Sequence, residues 1–418
     1  MPDIPLGSQV FDLVFHPTAD AVYTAQLTGH VHAFTYDEQG QHESSFSIRP
    51  SKKSCRGLAI GEDGTQLWAV GKGKALNTID TATGDIVDTR AGAHDAPINR
   101  VKRLMTNLLS TGDDDGVIKL WDPRKPDAIR SYTQHFDFIS DFMWLQDKKQ
   151  LVATSGDGTL SVMDIRSKKT EPFAHSEDQE DELLSILPIK GGTKAVVGTQ
   201  LGILSVFNRK KGWGDCVDRV PGHPHSIDAL CALPSSYPSC HNTILTGSSD
   251  GLLRAVELFP TRLIGVVADH GDFPIERIAI ERDGEGRWVG SVGHDEVLRL
   301  TDLKEVFEDE DPNEDEDPNE DGEDERADND SDTGDDEPET EQDLVKGGLK
   351  RVKENKDEKE GEQADGEQGQ PEEDSDAEDS DAPKQKKRRK KEKDELGGRN
   401  KKKGKNEIEA DSSFFAGL

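Results

Sequence analysis

One phrase of this chain recurs with drifting letters, and its spacing constrains the fold more than any other feature. TGDDDGVIKLWD ends at Asp122, TSGDGTLSVMD at Asp164, GTQLGILSVFN at Asn208 and TGSSDGLLRAVE at Glu257. Looser copies end at Thr35, Asp80 and Asp302, so successive copies are 45, 42, 42, 44, 49 and 45 residues apart. A period in the forties, with a small–polar–Gly turn between two apolar runs, marks a ring of four-stranded sheets that bury their faces only against one another. The period therefore predicts an all-β, seven-bladed β-propeller.

Each copy reads as four short strands. In the third, NRVKRL (99–104) is the inner strand, NLLSTG (107–112) the second, VIKLWD (117–122) the third and AIRSYT (128–133) the outer one. Alternation within the third strand sets Val117, Lys119 and Trp121 on one face and Ile118 and Leu120 on the other, as a sheet packed between two neighbours requires. The stretch 226–269 scans the same way, as SIDALCAL, NTILTG, LLRAVEL and RLIGVVAD. The last copy lacks a fourth strand. Residues near 3–8, ahead of the first inner strand QVFDLVF, are expected to supply it and close the ring, which removes the free edges of an open one.

Charge divides the rest of the chain. Residues 1–304 carry 32 Lys+Arg and 42 Asp+Glu, residues 305–381 carry 7 and 37, and residues 382–418 carry 13 and 6. The last two stretches are poor in aromatic and β-branched residues, so they cannot bury enough apolar surface to offset their chain entropy and are expected to be disordered. Cys55, Cys216, Cys231 and Cys240 show no paired spacing, which fits a reducing compartment. With no basic start before an apolar run and no stretch near ~20 apolar residues, the chain is expected to be soluble and intracellular, with no membrane partner.

Trp121-Asp122, together with AHDAPI (93–98), GHPHSI (222–227) and DHGDFPI (269–275), resembles the signature elements of WD40 repeats. The likeness covers about 300 residues and departs from the pattern where Met163, Phe207 and Val256 replace the Trp. The whole arrangement is similar to the WD repeat-containing protein 55 family and its fungal relatives, with a degenerate propeller, an acidic tail, a basic block and a Phe-Phe end. That resemblance implies a non-catalytic scaffold in the nucleus and nucleolus, serving ribosome biogenesis through pre-rRNA processing or large-subunit assembly. Its partners would be pre-ribosomal assembly factors and basic ribosomal proteins.

His94, Ser110, Thr111, Asp115 and Trp121 offer the residue types of a hydrolase set. They recur in repeat register, however, and resemblance to WD40 blades implies that with Asp122 they form a buried hydrogen-bond network within the blade. His223 with Asp250 and His270 with Asp295 take the same reading. GKGK (71–74) lacks the glycine spacing of a phosphate loop. Cys231, Cys240, His225 and His241 match no zinc spacing, and DPNEDGEDERAD (317–328) matches a calcium loop without flanking helices. No metal, cofactor or small-molecule substrate is expected.

The remaining candidates address partners. Lys384, Lys386, Lys387, Arg388, Arg389, Lys390, Lys391 and Lys393 form a block suited to nuclear import or nucleolar retention, and to non-specific contact with RNA phosphates. The acidic run reads as a spacer or a lure for basic proteins, and Thr333, Thr340 and Ser375 each precede an acid by three residues, as acidophilic kinase sites do. Arg124 and Arg166 follow WDP and MDI in a manner resembling the box by which some propellers dock on a cullin–RING ligase adaptor. Phe414 and Phe415 suggest a short docking motif. Two rival functions follow: a ubiquitin-ligase substrate receptor, and a histone-binding chromatin factor using the acidic run.

Overall fold

The computed structural model describes residues 2–237 and 239–308. Its strands form seven four-stranded antiparallel sheets, one for each repeat. The inner strands are Val10–Phe15, Cys55–Ile60, Ile98–Met105, Ile139–Leu145, Leu183–Ile189, Ile227–Ala232 and Ile275–Ile280, and blades 1 to 7 are numbered by them. In blade 3 the other strands are Leu108–Asp113, Ile118–Trp121 and Ala128–Tyr132, within a residue or two of the expected ranges.

The alternation also holds. Ile118 and Leu120 pack with Tyr132, Ile139, Phe142 and Leu151 between blades 3 and 4. Trp121 points the other way, into a cluster with Trp68, Val70 and Leu109 between blades 2 and 3. The Arg90 guanidinium lies 5.8 Å over its ring. Phe142 and Tyr132 are among the largest fully buried side chains, and truncating such a residue to Ala costs about 3–5 kcal/mol.

The short N-terminal strand Asp3–Pro5 closes the ring. It pairs antiparallel with Val297–Asp302, setting Asp3 opposite Arg299, Ile4 opposite Leu298 and Pro5 opposite Val297. Ile4 is buried among Leu13, Val292 and Leu300, and Arg299 forks onto the two Asp3 oxygens at 2.8 and 3.0 Å. Blade 7 is further tied to blade 1 by the Tyr36 hydroxyl, which donates to buried Glu281 at 2.6 Å.

Order continues past the expected boundary at residue 305. A helix, Leu303–Glu308, follows the last strand, and Val306 and Phe307 pack against the core shared by blades 6 and 7. These two apolar side chains interrupt the acidic composition, and Phe307 meets Tyr237 with ring centroids 5.5 Å apart.

The tight turn between second and third strands has one conformational demand. Gly116 has φ 78°, and a Cβ there would meet the His135 carbonyl oxygen at 2.7 Å. Lys74 and Glu296 fill the same turn position in blades 2 and 7, also with positive φ, at 63° each. A side chain in that region costs roughly 1–2 kcal/mol.

Candidate interaction face at the channel mouth

Because successive strands of a blade run antiparallel, its connections alternate between the two ends of the ring. The loops entering each inner strand and the turns between second and third strands share one face, here the upper face. The remaining connections share the lower face.

Just under the upper loops lie the histidine networks. His94 Nδ1 is 2.7 Å from Asp113 Oδ2 and its Nε2 is 2.6 Å from Thr111 Oγ1, which also accepts from Trp121 Nε1 at 2.8 Å. Of the six expected members, the structure thus joins His94, Thr111 and Trp121. Asp115 is a correction: it is exposed at the turn tip. Asp113, at the end of the second strand, takes the histidine instead and also accepts the Asp115 and Val117 amides. Ser110 points to the opposite face from Thr111 and bonds the Lys102 carbonyl at 3.4 Å, as strand alternation requires. Asp122 lies at the far end of the third strand and is engaged by Arg124.

The same network recurs with variations. His270 joins Asp295 and Ser291, both at 2.7 Å. His135, which carries no signature neighbours in the sequence, joins Asp157 at 3.0 Å and Ser161 at 2.7 Å. His223 does not join Asp250. Arg254 forks onto that carboxylate at 3.0 and 2.6 Å, leaving His223 with Thr246 at 2.8 Å and an Nδ1 without a partner among the described residues. Burial first, and then Arg254, push His223 down to about 4.

Every inner strand slips register at its second residue. A bulge re-aims a side chain and often sits beside a functional surface. Here the seven bulge residues are Phe11, Arg56, Asn99, Ser140, Leu184, Asp228 and Glu276, and all seven line one cavity of about 720 Å³ at the upper mouth of the central channel. Arg56 reaches Asp114 at 3.0 Å. Across the mouth, Asp228 accepts from Ser226 and Ser249 at 3.0 and 2.7 Å, and burial holds its carboxyl above the usual range. Glu276 lies 2.8 Å from His294 Nε2 and raises that imidazole's pKa.

In blades 1, 3, 4 and 7 the residue after the bulge is charged, and these four side chains meet across the channel. Arg277 of blade 7 stands 3.2 Å from Asp12 of blade 1 and 3.4 Å from Asp141 of blade 4. Arg100 of blade 3 lies 4.0 and 3.8 Å from the same two carboxylates. Burial raises Asp12 despite both arginines. Burial opposes ionisation of Asp141 too, but Arg277, Arg100 and Lys102 outweigh it and hold its carboxyl low. Sequence reading missed both rings. The signal of the inner set is a charged residue two places after the buried apolar start of the inner strand, as in VFD, INR, ISD and IER.

Around the mouth the upper face exposes Leu27, Phe136, Leu201 and Phe273, with Phe136 91% exposed. On the lower face, Arg124 forks onto Asp122, both bonds at 2.9 Å, and Arg166 onto Asp164 at 2.9 and 2.6 Å. Hydrogen bonds from Arg124 hold Asp122 down to about 2. Both arginines stay largely exposed.

The zinc-like residues do not converge. His225 enters the blade 6 inner strand from the upper face, whereas Cys231 lies at its other end, with Cys240 in the lower-face loop beyond. Burial pushes the Cys231 thiol up to about 11 and the Cys55 thiol up to about 12. The basic block (Lys384, Lys386, Lys387, Arg388, Arg389, Lys390, Lys391, Lys393), the calcium-like loop 317–328, Thr333, Thr340, Ser375, Phe414 and Phe415 lie outside the described residues.

Comparison with known proteins agrees with this architecture. The WDR55 family model matches residues 1–306. The chain is 66% identical over 324 residues to WD repeat-containing protein JIP5 of Laccaria bicolor, covering 74% of this chain and 77% of that protein. It is 34% identical to WD repeat-containing protein 55 of Arabidopsis thaliana, with 73% and 84% covered. The rat protein of that name is 35% identical, with 73% and 77% covered. Among solved structures, the WD40 β-propeller domain of Doa1 superposes with a TM-score of 0.61 at 13% identity, covering 73% of this chain and 97% of that one. That likeness concerns the fold alone.

Proposed function

This chain belongs to the WDR55 family of WD40-type propellers, and on that premise we propose that it is a non-catalytic scaffold for ribosome biogenesis in the nucleolus. Its place is in pre-rRNA processing or large-subunit assembly. One observation carries the scaffold reading: the seven bulge residues open onto the mouth, while the acid–base-like histidines are struts beneath the loops. His94 and His270 have both ring nitrogens engaged within their own blades. The hydroxyl each one holds, Thr111 or Ser291, is fully buried with it, so no substrate proton comes within reach of the pair.

The ribosomal part of the reading is supported by the family resemblance and by the Lys/Arg block at 384–393, which suits nucleolar retention. Its partners are pre-ribosomal assembly factors and basic ribosomal proteins, with RNA phosphates contacted weakly by the basic block.

The test is affinity capture of the tagged full chain at moderate salt, with bound RNA sequenced and bound proteins identified. Pre-rRNA and ribosome assembly proteins are expected, and replacing Phe136, Leu201 and Phe273 by Ser should deplete them. Recovery of neither class overturns the reading.

A second reading rests on Arg124 and Arg166, exposed on the lower face of adjacent blades. In it they contact a ubiquitin-ligase adaptor. Charge reversal of both should abolish adaptor pull-down, and an unchanged pull-down removes that reading.

A further inference from the structure

We infer that the sector of the upper face over blades 1 and 2 is a docking site for an acidic polypeptide segment of a partner protein, anchored by one apolar side chain in the channel mouth. The inference rests on the upper face being the binding face and names the chemistry it selects.

Three observations support it. First, the loop entering blade 2 and the turn beside it carry Arg49, Lys52, Lys53, Arg56, Lys72 and Lys74 with no carboxylate among residues 49–56 and 71–75. The two segments are locked together, since the Lys72 amide donates to the Ser54 carbonyl at 2.9 Å. Second, Lys52, Lys53 and Lys72 are exposed, and no ion pair among the described residues uses their ammonium groups. By contrast, Asp113, Asp114, Asp157, Asp250, Glu276 and Asp295 of this face each already hold a His or an Arg. Uncommitted cations in a chain of net charge −33 present a localised field to an anionic partner. Third, Lys53 and Lys72 line the same cavity as Phe11, Leu27, Phe138 and Leu184. Charge and an apolar socket are therefore contiguous.

An acidic peptide fits this face better than a nucleic acid. The upper face turns acidic beyond the patch, with Asp95, Asp114 and Asp115 on blade 3 and Glu177, Asp178, Glu180, Asp181 and Glu182 before blade 5. A phosphate backbone crossing the mouth would meet all of those carboxylates, whereas a short segment seated on Lys53 and Lys72 enters the mouth beside Asp114, which Arg56 already holds.

The test uses the full chain and a fluorescein-labelled Asp/Glu peptide with one central Phe. An oligouridine of equal charge is the comparison. Binding read by anisotropy should fall about tenfold or more in Lys52→Glu/Lys53→Glu/Lys72→Glu, and less in the matching Gln variant. It should also weaken with added salt, the screening length being ~8 Å at 0.15 M, and when the peptide Phe is replaced by Ser. The three lysines make no ion pairs among the described residues, so the variants are expected to keep the wild-type circular dichroism.

No peptide binding, equal affinity in the charge-reversed chain, or tighter lysine-dependent binding of oligouridine overturns the inference. The Phe136/Leu201/Phe273 capture separates the two readings. If captured proteins depend on those residues while the peptide ignores the lysines, only the inference falls. If capture is indifferent to them, the face itself is wrong.

Discussion

Blades 3 and 6 start from nearly the same letters and arrive at different networks. In blade 3 the histidine is held at both nitrogens, by Asp113 and Thr111. In blade 6 the corresponding His223 keeps only Thr246, because Arg254, two residues into the third strand, claims Asp250. Blade 3 has Lys119 at that strand position, and its ammonium reaches the Ala93 carbonyl at 2.8 Å instead. The difference has two parts: Ser248 stands in blade 6 where blade 3 has Asp113, and Arg254 holds the turn carboxylate that remains.

The comparison can be broken from either side. His94→Ala should destabilise the protein by about 3 kcal/mol in urea unfolding, because it takes a partner from the buried Asp113 and Thr111 side chains at once. A loss under about 1 kcal/mol would mean that the closed network contributes little. The pH dependence is next in size. His223 is held near 4 in the fold against about 6.5 unfolded, so the unfolded chain binds the extra proton between those values. Stability from this residue is complete above about pH 6.5 and is lost as pH falls toward 4, by roughly 2 kcal/mol at pH 5. His223→Ala should abolish that window.

Arg254→Met frees Asp250 to face His223. NMR titration should then show the His223 pKa rising, with a stability change of about 1–2 kcal/mol. An unmoved pKa would mean that turn geometry, and not the arginine, separates the pair. The smallest effect is His223→Ala at neutral pH, about 1 kcal/mol for one hydrogen bond. Near pH 5 the sign should reverse, since the variant escapes the roughly 2 kcal/mol proton-linked loss.

This pair of blades also marks how far the sequence could be read. Strand positions followed from alternation and spacing, which are local, and the closing strand followed from counting: six complete copies and one short of a strand. The choice of Asp113 over Asp115 was not legible, because two carboxylates two residues apart in one turn differ only in where the turn aims them. His135 was missed because its only signal is its place, four residues before an inner strand. The ring at the mouth was hidden for a related reason. A bulge is a property of pairing between two strands, so Phe11, Asn99 and Leu184 look unrelated until seven register slips set them side by side.

The charges inside the channel give the ring spokes as well as a rim. Blades 4 and 7 are not neighbours, yet Arg277 reaches from one to Asp141 of the other while also holding Asp12 of blade 1. A propeller held only by adjacent contacts can ovalise as load on one blade is passed along the circumference. Here the same load is carried across the diameter. A partner seated on the upper mouth therefore meets crossed ion pairs beneath it. The two ends of the molecule can then be occupied independently, in the manner of a rivet with two heads.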